Sequence, residues 1–198
     1  MEQEKELTSQ ESLELITRMI SRAKDDYRET GISALLWGSV ITFCSLMVFF
    51  NVLFWKKEWM GYIWLLTFAA VIPQIIIARK ERKERRVRGH HDDFMGGIWL
   101  SFAIAMFLMV WFDSRYGLNV GASIYMVIYG IPTFTTGFAR KFRPMILGGI
   151  ACWVLAIVSG FLAWPYPMLC TALAAQLAWF IPGLILRKRC LKVTKENV

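Results

Sequence analysis

The sequence predicts an all-α integral membrane protein, in which six transmembrane helices follow an amphipathic helix on the cytoplasmic side. Of the 198 residues, 56% are hydrophobic and 19% are charged, and the two kinds are segregated along the chain. Uncharged apolar runs of about the length that crosses a bilayer recur six times. Lysine and arginine are concentrated on one side of those runs. Together with a mean hydropathy of +0.43, these features exclude a water-soluble globule, a disordered tail and a disulfide scaffold.

The six apolar runs define the transmembrane region. They cover residues 32–54, 60–78, 95–112, 120–139, 145–163 and 166–186, and we number them as spans 1 to 6. A helix needs roughly 20 apolar residues to cross a ~30 Å hydrocarbon core. Short connections join the runs, so we expect an antiparallel bundle. The chain thus divides into a cytoplasmic acidic amphipathic helix (1–31), a six-helix transmembrane bundle (32–186) and a basic cytoplasmic tail (187–198).

The distribution of positive charge predicts the orientation of the bundle. Twenty lysine and arginine residues lie in the N-terminal segment, the second and fourth connections and the tail, whereas the other side has Lys56, Lys57 and Arg115. Cytoplasmic loops carry the excess of lysine and arginine in membrane proteins. We therefore expect a protein of the bacterial inner (plasma) membrane with both termini in the cytoplasm. Tryptophan and tyrosine residues at the opposite helix ends predict an interfacial belt.

The amphipathic helix before span 1 is a candidate docking element. Thr8 and Glu11 fit a capping box, and an apolar stripe follows at three- and four-residue spacing. The stripe includes the candidate docking residues Leu13, Ile16, Ile20 and Tyr27. Residues 1–31 have a net charge of −3, whereas the rest of the cytoplasmic side is basic. This contrast predicts docking, either within the chain or onto a cytoplasmic or membrane protein partner.

Basic clusters beside the spans are expected to contact anionic lipid headgroups, each residue contributing about 1 kcal/mol near the surface. The longest cluster, at 79–88, also looks like a nucleic-acid patch, but its place beside a span favours lipid, and we expect no nucleic-acid partner. The candidate headgroup contacts are Arg79, Lys80, Arg82, Lys83, Arg85, Arg86, Arg140, Lys141, Arg187 and Lys188.

Spans 2, 4 and 6 share a motif near their cytoplasmic ends. Each contains an Ile-Pro dipeptide, with Pro73, Pro132 and Pro182, and each runs into an Arg-Lys pair. The pattern indicates three in-out-in hairpin repeats of one orientation. The competing interpretation is chance, because Ile-Pro dipeptides and basic ends are common in membrane helices.

The three prolines are expected to kink their helices, because proline removes a backbone hydrogen bond. Polar side chains lie near the kinks: Gln74 in span 2, Thr133 and Thr136 in span 4, and Gln176 in span 6. They define a candidate polar pocket that faces the cytoplasm. The alternative is that they bond to carbonyls freed by the kinks or to neighbouring helices.

Span 5 carries a face of small residues. Gly148, Cys152, Ala156 and Gly160 recur every fourth residue, a spacing that lets two helix backbones approach closely. We expect this face to pack against another span. A homodimer interface would have the same pattern.

Residues that carry catalytic or metal chemistry are missing from the spans. The six runs contain no lysine, arginine, aspartate or glutamate, which argues against a pump or proton-coupled transporter. Common catalytic motifs are also missing from the sequence, so we expect neither an enzyme nor a cofactor. The two histidines, His90 and His91, precede Asp92 and Asp93. Adjacent side chains point apart, so we expect an aspartate to cap span 3 there, and no metal site.

The N-terminal 40 residues resemble a group of bacterial proteins. Residues 11–20, ESLELITRMI, and the run Leu35-Leu36-Trp37-Gly38 are similar to small multi-pass inner-membrane proteins of unknown function. The resemblance implies the same location and brings no activity or site residue with it.

Two functions from different classes fit these observations. The first is a non-enzymatic inner-membrane protein that acts as a regulatory or scaffolding partner through its cytoplasmic face. The alternative is a small-solute permease or the substrate-binding membrane subunit of a transporter. A continuous polar cavity lined by Gln74, Thr133 and Gln176 would favour the alternative.

Overall fold

A computed structural model describes residue 10 and residues 30–84, 90–117 and 121–196. Nearly all of these residues are helical, and none of them is in a strand. The predicted all-α class is therefore confirmed. Two sets of predicted site residues lie outside the described part of the chain. They are the docking residues Leu13, Ile16, Ile20 and Tyr27 and the headgroup candidates Arg85 and Arg86.

The helices follow one another with short connections. Helix α1 (Ile32–Phe50) ends in a π-helical turn (Asn51–Trp55), and a 3₁₀ segment (Glu58–Trp64) leads into α2 (Leu65–Glu84). The next helices are α3 (His90–Tyr116), α4 (Ala122–Ala139) and α5 (Arg143–Gly160). A second π-helical turn (Gln176–Phe180) joins α6 (Pro167–Ala175) to α7 (Ile181–Glu196). Residues 187–196, predicted as a basic tail, thus continue α7 as helix.

Five helical segments of the described chain are long and apolar enough to cross a membrane. They are Ile32–Trp55, Glu58–Lys83, Phe94–Tyr116, Arg143–Gly160 and Pro167–Lys192. These segments correspond to spans 1, 2, 3, 5 and 6. Helix α4 corresponds to span 4, and its one serine, two tyrosines and three threonines make it less apolar than the others.

Helices α1, α4, α5 and α6–α7 form the core of the bundle. Their backbones approach closely at glycines: a methyl group on Gly38 would lie 2.7 Å from the amide nitrogen of Phe180, and one on Gly137 would lie 2.6 Å from that of Ile146. Glycine is the residue that allows such contact between helix backbones. The central buried side chains include Met126, Cys152 and Trp179.

Helices α2 and α3 lie at the periphery. Only 11% of the apolar part of Glu58–Lys83 and 6% of that of Phe94–Tyr116 is buried, against 33–50% for the other three segments. Helix α2 packs on α1 and α3 packs on α4. Each peripheral helix therefore presents most of its apolar surface to the surroundings, as lipid-facing helices do.

Contacts between helix ends fix the directions of the helices. Gly31 at the start of α1 lies against Gly183 and Arg187 of α7, whereas the Phe49 ring near the end of α1 is 6.0 Å from that of Tyr166, just before α6. Helix α1 is therefore antiparallel to α6–α7. The start of α1 and the α7 end consequently lie at the same end of the bundle, which we call the terminal end.

Asn51 orders the connection at the opposite end. Its side-chain amide donates to the Lys57 carbonyl (3.0 Å) and accepts from the Lys57 backbone N–H (2.9 Å). Lys56, between them, has a left-handed φ of 50°. The Lys57 carbonyl and N–H have no helical hydrogen-bond partner where the chain turns between α1 and α2, and the Asn51 side chain takes that place. Polar backbone groups need such a partner at the edge of the hydrocarbon region.

Candidate functional site

The polar side chains inside the bundle are paired between helices. The first pairing joins α1 to α2: the Trp37 indole N–H donates to the Gln74 side-chain oxygen (3.2 Å), and the Gln74 amide donates to the Ser33 hydroxyl (3.1 Å). Gln74 directly follows Pro73 inside α2. This tie holds the peripheral helix α2 to the core in the half of the bundle nearer the terminal end.

A second pairing joins α1 to the last helical run, by which we mean α6, the π-helical turn and α7 together. The Gln176 amide donates to the Thr42 hydroxyl (2.9 Å), and that hydroxyl donates to the Ala172 carbonyl (3.5 Å). Gln176 begins the π-helical turn that precedes Pro182. Proline has no N–H with which to continue the regular helix ladder, and π-helical turns present side chains at irregular angles. The turn thus brings Gln176 to α1.

A third pairing lies in the centre of the bundle. The Trp179 indole N–H donates to the Thr133 hydroxyl (2.9 Å), which donates to the Tyr129 carbonyl of its own helix (2.8 Å). Trp179 is 4% exposed and Thr133 is fully buried. Both polar groups are thus satisfied in a dry environment, where an unpaired group would be costly.

The Trp179 ring belongs to a cluster of four aromatic rings next to this pairing. Trp99 and Phe102 of α3, Tyr129 of α4 and Trp179 form a closed cycle with centroid separations of 5.7, 5.7, 5.1 and 6.5 Å. Tilted and edge-to-face rings at such distances attract one another beyond simple burial. The cycle attaches the otherwise exposed helix α3 to the core. The rings are too close together to enclose a ligand.

The predicted polar-pocket residues therefore enter different contacts. Gln74 bonds to α1 near its start, Gln176 bonds to α1 nearer its middle, and Thr133 bonds to Trp179. Thr136, one turn beyond Thr133, is buried, and its hydroxyl has no hydrogen-bond partner among the described residues. Pro132 is buried inside α4, where it also lines a groove described below.

An apolar groove of about 180 Å³ runs between α3 and α4. It opens on the periphery of the bundle, and one hydroxyl, that of Ser101, belongs to its lining. Such a groove suits an acyl chain or the side chains of a neighbouring helix. The lining residues are Ile98, Ser101, Phe102, Ala105, Ile128, Ile131 and Pro132.

The small-residue face of α5 packs against the last helical run. A methyl group on Gly148 would lie 2.6 Å from the Cα of Ala178, and the Cys152 thiol is 4.0 Å from the Ala174 carbonyl. Ala156 is also buried. Gly160 is exposed, and the nearest atom to a methyl group there would be the Ser123 hydroxyl of α4, at 4.0 Å. Three of the four residues thus lie in a contact within the chain.

Positive charge gathers at the terminal end. The basic end surface, as we call it, consists of Lys141, Arg143, Arg187, Lys188 and Arg189, which lie at the α4–α5 turn and on α7. The Arg189 guanidinium stacks 5.3 Å from the centroid of the buried Phe142 ring, which brings the two parts together. The other described headgroup candidates are the half-buried Arg140 and the α2 residues Arg79, Lys80, Arg82 and Lys83.

Metal-ligating residues form no cluster in the described ranges: no three His, Cys, Asp or Glu side chains there are placed to hold an ion. Helix α3 already includes His90. Asp92 and Asp93 therefore lie within the helix, and the expectation that one of them precedes and caps it is wrong, because a cap residue stands outside the helical backbone.

Sequence reasoning singled out Gln74, Thr133 and Gln176 but missed their partners. Ser33, Thr42 and Trp179 were not candidates, although all three are polar groups within spans. A hydroxyl or indole in an apolar run requires a hydrogen-bond partner, and this requirement is the one signal that could have drawn attention to them.

Comparison of the chain with known protein families, with curated proteins and with solved structures finds no match.

Proposed function

We propose that the chain is a non-enzymatic, six-span protein of the bacterial inner membrane, which acts as a regulatory or scaffolding partner through its cytoplasmic face. The terminal end is the cytoplasmic end in this proposal. The observation that carries it is that polar side chains inside the bundle and charged side chains at its end have different roles. The polar side chains tie helices together, and the charged groups available for binding gather at the terminal end.

Helix α4 is the sixth span in this proposal. Its ends lie beside those of α5: the Ser123 and Ser159 hydroxyls are 2.7 Å apart at one end, and Gly137 meets Ile146 at the other. Helix α4 therefore runs the whole length of α5, which is one of the five membrane-length segments. An even number of crossings also agrees with α1 starting at the end where α7 finishes.

The three hairpin repeats remain part of the proposal. Helix α1 packs on α2, α3 on α4, and α5 on α6–α7. These are the pairs that a triplicated in-out-in hairpin requires. The first two pairs each combine a core helix with a peripheral one, so triplication would have been followed by divergence in packing.

Two classes of partner fit the cytoplasmic face. Anionic lipid headgroups would contact Arg79, Lys80, Arg82, Lys83 and the basic end surface, because basic residues at a membrane boundary attract anionic lipid. A protein partner would contact the apolar stripe of the N-terminal segment. A second copy of the chain is one candidate for that partner.

The transporter alternative receives less support. Gln74, Thr133 and Gln176 each take part in a separate hydrogen-bonded tie. Side chains that a permease would use to line a solute path are here engaged in holding helices together. This pattern favours the scaffolding function.

The N-terminal stripe provides the test. We would capture partners from membranes with the full-length chain and with a variant in which Leu13, Ile16 and Ile20 are replaced by serine. The stripe variant should lose specific partners, because the apolar contact is removed. A charge-conserving control, Arg18→Lys with Arg22→Lys, should keep them. An identical partner set for all three proteins would reject the proposal.

A further inference from the structure

The basic end surface carries positive charge that no neighbouring acid in the sequence balances. The chain contains no acidic residue between Asp113 and Glu196, so neither the α4–α5 turn nor the start of α7 contains an acidic side chain. The end of α2 differs, because Glu81 and Glu84 alternate with its basic residues. The α4–α5 turn and the start of α7 therefore carry basic residues with no acidic residue among them.

This surface also offers an apolar contact. Leu191 is 48% exposed and lies one helical turn beyond Arg187, on the same side of α7. An amphipathic acidic segment could therefore pair its carboxylates with the basic side chains and pack its apolar side chains on Leu191.

The N-terminal segment enters the bundle beside this surface. The Thr30 hydroxyl hydrogen-bonds to the Glu81 carboxylate. Gly31 follows with a left-handed φ of 71°, and a methyl group on it would lie 2.5 Å from the Gly183 carbonyl oxygen and 3.1 Å from the Arg187 amide. Only glycine combines this backbone with so close a contact. Residues 1–29 therefore join the bundle, through Thr30 and Gly31, next to Arg187.

The charge of that segment is unevenly distributed. Residues 1–17 contain five acidic and one basic side chain, whereas residues 18–29 contain three acidic and four basic ones. Residues 18–29 are a tether of only twelve residues between the acidic part and Thr30, which keeps the acidic part within reach of the terminal end. A tether this short gives an effective concentration in the millimolar range.

We propose that the acidic residues 1–17 dock onto the basic end surface of their own chain. The docked segment masks the first part of the stripe, Leu13 and Ile16, and the lysines and arginines beneath it. A partner that binds the stripe must then displace the segment, a form of self-regulation that rests on the proposed function. The docking itself requires no partner.

Zero-length crosslinking of the purified full-length chain tests the docking. In phosphatidylcholine nanodiscs, a carbodiimide should join carboxylates of residues 2–14 to Lys141 or Lys188, because it couples only groups in direct contact. Lys56 and Lys57, at the opposite end, are the internal controls and should give no such link. Raising the salt concentration should lower the yield, since salt screens exposed charge pairs.

A second measurement uses lysine acetylation. Replacing Glu2, Glu4, Glu6, Glu11 and Glu14 by glutamine should raise the acetylation rate of Lys141 and Lys188 severalfold and leave that of Lys56 unchanged. A mixture of isotopically light and heavy chains shows whether links form within one chain. Links found only between chains, links only to Lys80 or Lys83, or no links together with unchanged acetylation would each overturn the docking. Partner capture is absent from this experiment, so its failure is separate from failure of the proposed function.

Discussion

At the scale of single residues, the bundle depends on a few polar contacts whose partners come from distant parts of the chain. Gln74, Thr133 and Gln176 were recognisable in the sequence as polar groups in apolar runs. Their partners were not, because several hydroxyls and indoles lie at suitable depths in the other spans. Trp179 lies in the π-helical turn, and the backbone geometry of that turn brings its indole to Thr133. No pattern in the sequence predicted the turn.

Removing one of these hydrogen bonds should have a small, measurable effect. We expect Trp179→Phe to lower the free energy of unfolding by at least about 0.6–1.7 kcal/mol, the range for interhelical hydrogen bonds in membranes, because the donor to Thr133 is lost and the smaller ring leaves part of a buried site unfilled. Thermal unfolding in detergent would measure it. Trp164→Phe, at an exposed position, is the control and should leave stability unchanged. Equal effects at both positions would contradict the role of the bond.

A methyl group added to Gly148 should separate two core helices. The new atom would meet Ala178 at 2.6 Å and the Leu177 carbonyl at 2.7 Å, so we expect Gly148→Ala to cost about 1–3 kcal/mol, as overpacking does. Gly97→Ala is the matched control, since nothing lies within 4 Å of a methyl group there. Chemical denaturation of the two variants would compare them. A loss of stability in Gly97→Ala as large as that in Gly148→Ala would refute this explanation.

At the scale of helices, five of the predicted spans match helical segments that are long and apolar enough to cross a membrane, but the sequence predicted their depth in the bundle poorly. Helices α2 and α3 are as apolar as α1, yet far fewer of the residues in their apolar parts are buried. Hydropathy cannot distinguish the two situations, because lipid tails are as apolar as a helix interface. Glycine is more informative: α2 has none and α3 has two exposed ones near its start, whereas α4 and α5 have buried glycines in contact with neighbouring helices.

The peripheral position of α2 and α3 should appear in hydrogen exchange. We expect backbone amides of both helices to exchange faster than those of α5 and α6 in detergent, because a helix with few buried contacts opens at low cost. Gln74→Leu should accelerate exchange in α2 while leaving α3 unchanged, since it removes the tie to Trp37 and Ser33. Mass spectrometry of deuterated peptides would resolve the helices. Uniform exchange across the bundle would contradict the division into core and periphery.

At the scale of the whole molecule, the number of crossings decides where the termini lie. Six crossings place residue 10 and Cys190 on the same side of the membrane, and five crossings would place them on opposite sides. The excess of lysine and arginine on one side of the spans predicts that both termini lie on the same side, in the cytoplasm. The close contact of Gly31 with Gly183 agrees with it.

Thiol labelling would measure the orientation. Cys44, Cys152 and Cys170 are buried, whereas Cys190 is partly exposed. We expect a membrane-impermeant maleimide to modify Cys190 in inside-out vesicles and not in intact spheroplasts. Gln10→Cys in a Cys190→Ser background should behave identically. Labelling of the two positions from opposite sides would show that α4 does not cross.

The pairing of α1 with the last helical run has a consequence for biosynthesis. Thr42 and its partner Gln176 are 134 residues apart, and translation proceeds at about 5–20 residues per second. The first helix therefore enters the bilayer on the order of ten seconds before the ribosome has made the helix that completes its hydrogen bonds. During that interval, the insertion machinery or a temporary neighbour has to shelter its hydroxyl groups, and the bundle can close only after translation is nearly finished.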